Sequence, residues 1–254
     1  MFRSIFTIIN WKTFIITSLS VVATYLCDLY TIHADFPLNL VGIAIVFPVV
    51  FSIDSAYKRR EKALALLSDF KAHILVTCHA SRDWIDTKDS DFPVRVKQQL
   101  MDVYDALRST FIVDKSVLAE KEKALYASLA KLSSGVQEFR DHGLQVGEMS
   151  RVNQYISKMT TSIENMLVIL HYRTPITLRA YSKVFIYSFP VLYAPYFVSI
   201  ASNYSTSLQY MMPVVFSFIL VSLDNIQNHL ENPFDQVGVD DIRFDVEEFS
   251  ERIQ

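Results

Sequence analysis

The chain has 254 residues, a formal net charge of −3 and 51% hydrophobic residues, with a mean hydropathy of +0.22. That balance is too apolar for an ordinary soluble domain and too ionic for a chain lying wholly in a bilayer, so part of it is expected in each medium. The basic residues are interleaved with acids, which argues against a nucleic-acid surface, and the two cysteines, Cys27 and Cys78, exclude a disulfide framework.

The first predicted element is the apolar run from Thr13 to Cys27, extendable to Ile32. Arg3 and Lys12 precede it in the manner of a signal peptide, but the run exceeds signal length and no small-residue cleavage pattern follows, so it reads as a retained first span. Phe36 to Ile53 is a second span, about 27 Å long as a helix and close to the hydrocarbon thickness. Here Ile43, Phe47 and Phe51 recur every four residues and share one helix face. From the residues alone that face suits lipid contact, helix packing or a pore lining. Pro48 costs a backbone hydrogen bond and marks a bend or close packing.

Beyond Asp54 the composition turns ionic. "REKALALLSDFKAHILV", "PVRVKQQLMDVYDALRSTFIV", "KSVLAEKEKALYASLAKLSSGVQEF" and "SRVNQYISKMTTSIENMLVIL" all carry apolar residues at helical spacing. "DTKDSDFP" and "DHGLQVG" carry turn residues. These four helices predict a cytosolic bundle with no strand alternation.

Val184 to Leu223 contains no charge, and as one helix it would be about 60 Å long, twice what a bilayer needs. "SNYSTS" at Ser202 to Ser207 is its polar break, which gives a third span near Val184–Ile200 and a fourth near Leu208–Leu223. Lys58, Arg59, Arg60 and Lys62 follow span two, and Arg173, Arg179 and Lys183 precede span three, while the other connections lack Lys and Arg. Both termini and the middle segment therefore belong on the cytoplasmic side. The expected organisation is 1–53 for spans one and two, 54–183 for the cytosolic helices, 184–223 for spans three and four, and 224–254 for an acidic cytosolic tail.

The residues give catalysis no obvious seat. The six histidines are scattered, no H-E-x-x-H, Walker A, G-x-S-x-G or G-x-G-x-x-G motif occurs, and five glycines leave little for a phosphate cradle. No span carries an ionisable residue at its centre, which leaves no seat for a proton relay. Asp235, Asp240, Asp241 and Asp245 in the tail offer hard oxygen ligands, yet their spacing fits no EF-hand, and from spacing alone a solvated tail is the favoured reading.

Three segments together resemble the bestrophin family, in particular its shorter bacterial and organellar members. They are "GIAIVFPVVFSIDSAYKRREKA", the Thr-Pro entry "YRTPITLRAYSKVFIYSFPVL", and "LENPFDQVGVDDIRFD" with its Asn-Pro-Phe turn and acidic segment. The resemblance covers essentially the whole chain. It implies an all-α membrane protein with four transmembrane helices and a helical cytosolic bundle, assembled as a homopentamer around a central pore. The implied function is a non-enzymatic ion channel, passing chloride or other small anions through a hydrophobic neck of Ile43, Phe47 and Phe51. A sodium-selective homologue and a non-conducting membrane scaffold are the alternatives. The resemblance further implies a second constriction on the helix preceding span three, with Ile156 as its candidate. It also implies a calcium site to be sought at Asn232, Asp240, Asp241 and Asp245, with no cofactor required for the channel itself. The expected location is a bacterial inner membrane or an organellar one. The family's unbroken acidic run is interrupted here by Gln236, Val237, Gly238 and Val239, and its glycine before the neck phenylalanine is Val50.

Overall fold

The computed structural model describes residues 9–35, 38–85, 91–114, 116–172, 175–202, 206–236 and 241–253. Within them every regular element is a helix: α1 (Trp11–Leu29), α2 (Leu38–Asp83), α3 (Asp91–Phe111), α4 (Leu118–Asp141), α5 (Val146–His171), α6 (Ile176–Leu192), α7 (Ala194–Ser202), α8 (Thr206–Glu231) and α9 (Val246–Arg252). The chain forms two compact units, one of Met1–Arg60 with Arg173–Asn232, the other of Glu61–Tyr172 with Pro233–Gln254.

The first unit holds α1, the start of α2, and α6 to α8. Asn10 caps α1 by accepting from the Lys12 and Thr13 amides, and the Thr13 hydroxyl answers by accepting from the Asn10 amide, a reciprocal capping box. Asn10 also donates to Asn225 Oδ1 at 2.8 Å, which ties the start of α1 to α8. Along α1 the buried positions are Thr13, Ser20 and Thr24, whereas Trp11, Phe14, Ile15, Leu19, Val22 and Leu26 are exposed. A water-facing helix shows the opposite arrangement. Small hydroxyl residues turned inward and large apolar ones outward suit a helix surrounded by hydrocarbon, because close backbone approach and interhelical hydrogen bonds then supply the packing. One such bond is present, from Ser20 Oγ to the Pro190 carbonyl at 2.8 Å. Among the described residues, two helices, Trp11–Leu29 and Ser207–Glu231, are long and apolar enough to cross a membrane.

The core of this unit is built from Ile45, Val49, Ile186, Phe189, Tyr193, Phe197, Leu220 and Val221. Aromatic pairs knit it, with Phe189 and Tyr193 centroids 4.2 Å apart and Phe197 and Phe216 5.7 Å apart. The segment expected as a single third span is two helices, α6 and α7, joined by a turn at Tyr193. Pro195 explains the break. It has no N–H for the Val191 carbonyl and its ring crowds that same group, so the α6 pattern cannot continue through it. The new helix takes Pro195 in its first turn, where no donor is needed, and the Tyr193 carbonyl accepts from the Tyr196 and Phe197 amides at 3.0 and 3.1 Å.

The second unit holds the rest of α2, α3 to α5 and α9. Phe70, Ile74, Phe92, Leu100, Tyr104, Leu125, Met159, Ile163 and Phe234 are at most 0% exposed and form its core. The turn after α4 ends as its sequence predicts: Gly143 takes φ 88°, and Leu144 and Gly143 donate to Phe139 and Arg140 at 3.0 and 3.1 Å. A left-handed residue closing the last helical carbonyls in this way is the usual reason for glycine at such an end. Helix α8 continues past Leu223 to Glu231, and the second compact unit takes up the chain at Pro233.

Candidate functional site

The start of α2 divides its residues between two faces. Ile45, Val49, Ser52 and Ala56 are buried, spaced at three and four residues. On the opposite face Ile43, Phe47 and Phe51 are 54%, 56% and 57% exposed. The Phe47 and Phe51 rings lie 5.9 Å apart, tilted by 33°, so they form a continuous aromatic strip along the helix. Val46 and Val50, at 53% and 52% exposure, widen the strip on one side; a four-residue spacing rule misses them because they sit one residue ahead of each phenylalanine. The helix turns ionic at an exposed Asp54–Lys58 contact of 2.7 Å, which contributes little to stability.

Ile156, the candidate for a second constriction, is 7% exposed and belongs to the core of the second unit. It forms part of a groove of about 430 Å³ with Leu129, Ser133, Ser157, Thr161 and Glu164. A side chain packed there presents little surface to a passing ion.

The tail residues are only partly brought together. Asp240 lies outside the described residues. Asp245 is committed elsewhere: Lys71 Nζ contacts its Oδ1, and the Tyr104 hydroxyl donates to the same oxygen at 2.8 Å. Burial alone would raise the Asp245 carboxyl, but the hydrogen bonds from Lys71 and Tyr104 outweigh it and hold the group below its ordinary range. Burial and the neighbouring Asp245 push the Tyr104 hydroxyl far above its usual value. Lys71 also lies 5.0 Å from the Phe249 ring centroid, in cation–π range. Around this pair, Phe111, Phe234 and Phe244 pack with centroids 4.3 to 6.0 Å apart. Lys97 Nζ donates to the Ile253 carbonyl at 2.6 Å, and Arg108 to Glu247 at 2.6 Å. The segment from Pro233 to Ile253 is thus docked by aromatic burial and three basic side chains. Asn232 and Asp241 are half-buried, and among the described residues no group of three or more His, Cys, Asp or Glu converges as a metal site.

A second polar arrangement, not anticipated from the sequence, lies on α8. Asp224, Gln227 and Glu231 are 0%, 1% and 4% exposed. The Tyr187 hydroxyl donates to Asp224 Oδ2 at 2.6 Å, and Arg179 Nη1 to Glu231 Oε2 at 2.8 Å. The signal was available as acids at helical spacing on a helix that is otherwise apolar, but their burial depends on the return of α6.

No protein-family model and no curated protein matches the chain. Solved structures do. A bacterial bestrophin homologue from Klebsiella pneumoniae, in one single-residue variant, aligns with a TM-score of 0.77 at 15% identity, covering 96% of this chain and 95% of that one. A second variant gives 0.80 at 17% identity, over 95% and 94% of the two chains. A third gives 0.76 at 16% identity, over 99% and 96%. The chain has the bestrophin fold, over 95% or more of its length.

Proposed function

We propose that this chain is the subunit of a bestrophin-type ion channel, a homopentamer whose pore neck is lined by Ile43, Phe47 and Phe51. The observation that carries the reading is the apolar strip on α2: three large side chains more than half exposed, on the face opposite the one that packs into the protomer. Five such helices around an axis would make a hydrophobic ring. An ion entering it loses hydration and gains no oxygen ligands, so the ring gates by dewetting and must widen or wet to conduct. Where ring edges meet the axis, their positive quadrupole favours an anion; where ring faces meet it, a cation. We assign small anions, chloride among them, as the permeant class, and cation selectivity as the alternative that the same strip would support with its faces turned inward.

The inside-out composition of α1 supports placement in a bilayer, and the positive charges of α2 beyond Asp54 and at the start of α6 support cytoplasmic termini. A bacterial inner membrane suits that topology. The protein acts as a channel, without catalytic chemistry and without a required cofactor. We place no second ring at Ile156, given its burial. Calcium dependence is not part of the reading, because Asp245 already has an ammonium counter-ion in Lys71. Flux from liposomes reconstituted with the purified protein tests the proposal. Chloride-dependent flux is expected; a protein that assembles but passes neither chloride nor sodium would be a membrane scaffold.

A further inference from the structure

The exposed face of α2 does not end with its aromatic strip. Viewed down the axis at about 100° per residue, Asp54 falls between Ile43 and Phe47, and Lys58 falls between Phe47 and Phe51. Ser52 and Ala56 stay on the opposite, buried face. The Lys58 side chain is 73% exposed and that of Asp54 46%, with Nζ 2.7 Å from Oδ2. Arg59 and Arg60, the next basic residues, are half-buried and rotate towards the packed side. At a rise of about 1.5 Å per residue, Asp54 follows Phe51 by about 4–5 Å and Lys58 by about 10 Å. One acid and one base therefore continue the same stripe, directly beyond its last phenylalanine.

As a single exposed pair these charges contribute little to stability. Repeated around a pore axis they acquire another weight, because a ring of like charges between apolar walls focuses its field into the lumen and sets which ions concentrate there. Asp54 alone would place five carboxylates at the exit of the neck, an arrangement that gathers cations and repels chloride. Lys58 reaches back from the next turn in the favourable acid-before-base order and cancels them.

We propose that Lys58 is a specificity-determining residue of the pore: by pairing with Asp54 it neutralises a ring of carboxylates at the mouth of the neck and keeps that mouth open to small anions. The inference rests on the reading of the α2 strip as the neck of a pentamer. The neck supplies the dehydration barrier, and the mouth biases the sign of the ion that reaches it.

The test is the reversal potential of wild type, Lys58→Gln and Asp54→Asn in planar bilayers under a sodium chloride gradient, recorded at low and at high mean salt. Lys58→Gln should lower the chloride-to-sodium permeability ratio about tenfold, the scale of enrichment that a lumen of one charge sign produces. Asp54→Asn should raise it, Lys58→Arg should leave it unchanged, and the double variant Lys58→Gln/Asp54→Asn should return it close to wild type. Both single-variant shifts should shrink as the screening length falls from about 30 Å at 0.01 M to about 3 Å at 1 M. Size-exclusion profiles check that each variant assembles as wild type does. Unshifted reversal potentials in conducting variants would overturn the proposal and leave the pore standing. Shifts of the same sign in the two single variants, or shifts indifferent to salt, would also overturn it, since they report a change of pore shape. Absence of current from assembled wild type would remove the pore, and this proposal with it.

Discussion

Single side chains carry the sharpest consequences. Phe51 is a large exposed ring next to Phe47 on a helix already packed through its other face. Phe51→Ala should therefore raise single-channel conductance severalfold while leaving assembly intact, measured in planar bilayers beside size-exclusion profiles. Val49→Ala removes a side chain 1% exposed and should instead destabilise, by about 1–3 kcal/mol for a small core truncation, read as a lower midpoint of thermal unfolding. Lys71→Met leaves the Asp245 carboxylate with Tyr104 as its side-chain donor, a loss of about 1–3 kcal/mol from a partly buried charge. The pH dependence of this contact has a definite sign. Because the folded carboxyl sits below its ordinary 3.8, its contribution is complete above about pH 4 and is lost as pH falls through the folded value. Hydrogen exchange at the Phe244 to Phe249 amides should accordingly stay protected at neutral pH and loosen only under strong acid. Loss of protection near pH 6 would mean that another group holds the tail. Burial pushes the Cys78 thiol up to about 11, so in the folded protein it should resist maleimide at pH 7.5 and react fully on unfolding, when burial no longer suppresses the thiolate.

At the scale of elements, α4 offers a test of packing. A Cβ on Gly135 would come within 2.7 Å of Gln99 Oε1, the far end of a flexible side chain that can swing aside. Gly135→Ala should then gain close to the helix-propensity difference of about 1 kcal/mol, and differential scanning calorimetry should show a higher Tm. A lowered Tm would mean that Gln99 is held in place. The elements also mark what the sequence could convey. The helices of the second unit were legible because apolar residues recur at helical spacing, and the turn at Gly143 because only a left-handed residue closes that end. The apolar strip of Ile43, Phe47 and Phe51 was legible as a period of four, although its exposure depended on Ile45 and Val49 being taken by the core. The break at Tyr193 was hidden by uniform hydrophobicity. Pro195 alone signalled it, and prolines within membrane-type helices such as α8 do not always break them. The burial of Asp224, Gln227 and Glu231 was not legible either: their acidity matched a solvated tail until Tyr187 and Arg179 were seen to meet them.

At the scale of the molecule, the two units answer to different media. One is held together by an aliphatic and aromatic core, small hydroxyl contacts and a polar stripe on α8, with the large apolar residues of α1 outward. The other has an apolar interior closed by Phe234, Phe244 and the basic clips of its tail. Such a division fits a channel with a bilayer part and an aqueous part, and native mass spectrometry in detergent should give a pentamer. The proposed pore, lined by α2 and selective for small anions, is the feature on which the rest depends. It is tested most directly by the reversal potential of the purified protein in a planar bilayer under a sodium chloride gradient. A current that reverses near the chloride equilibrium potential and grows in Phe51→Ala is expected. Reversal near the sodium potential would contradict the assignment of the permeant ion, and the absence of any current from correctly assembled protein would contradict the pore itself.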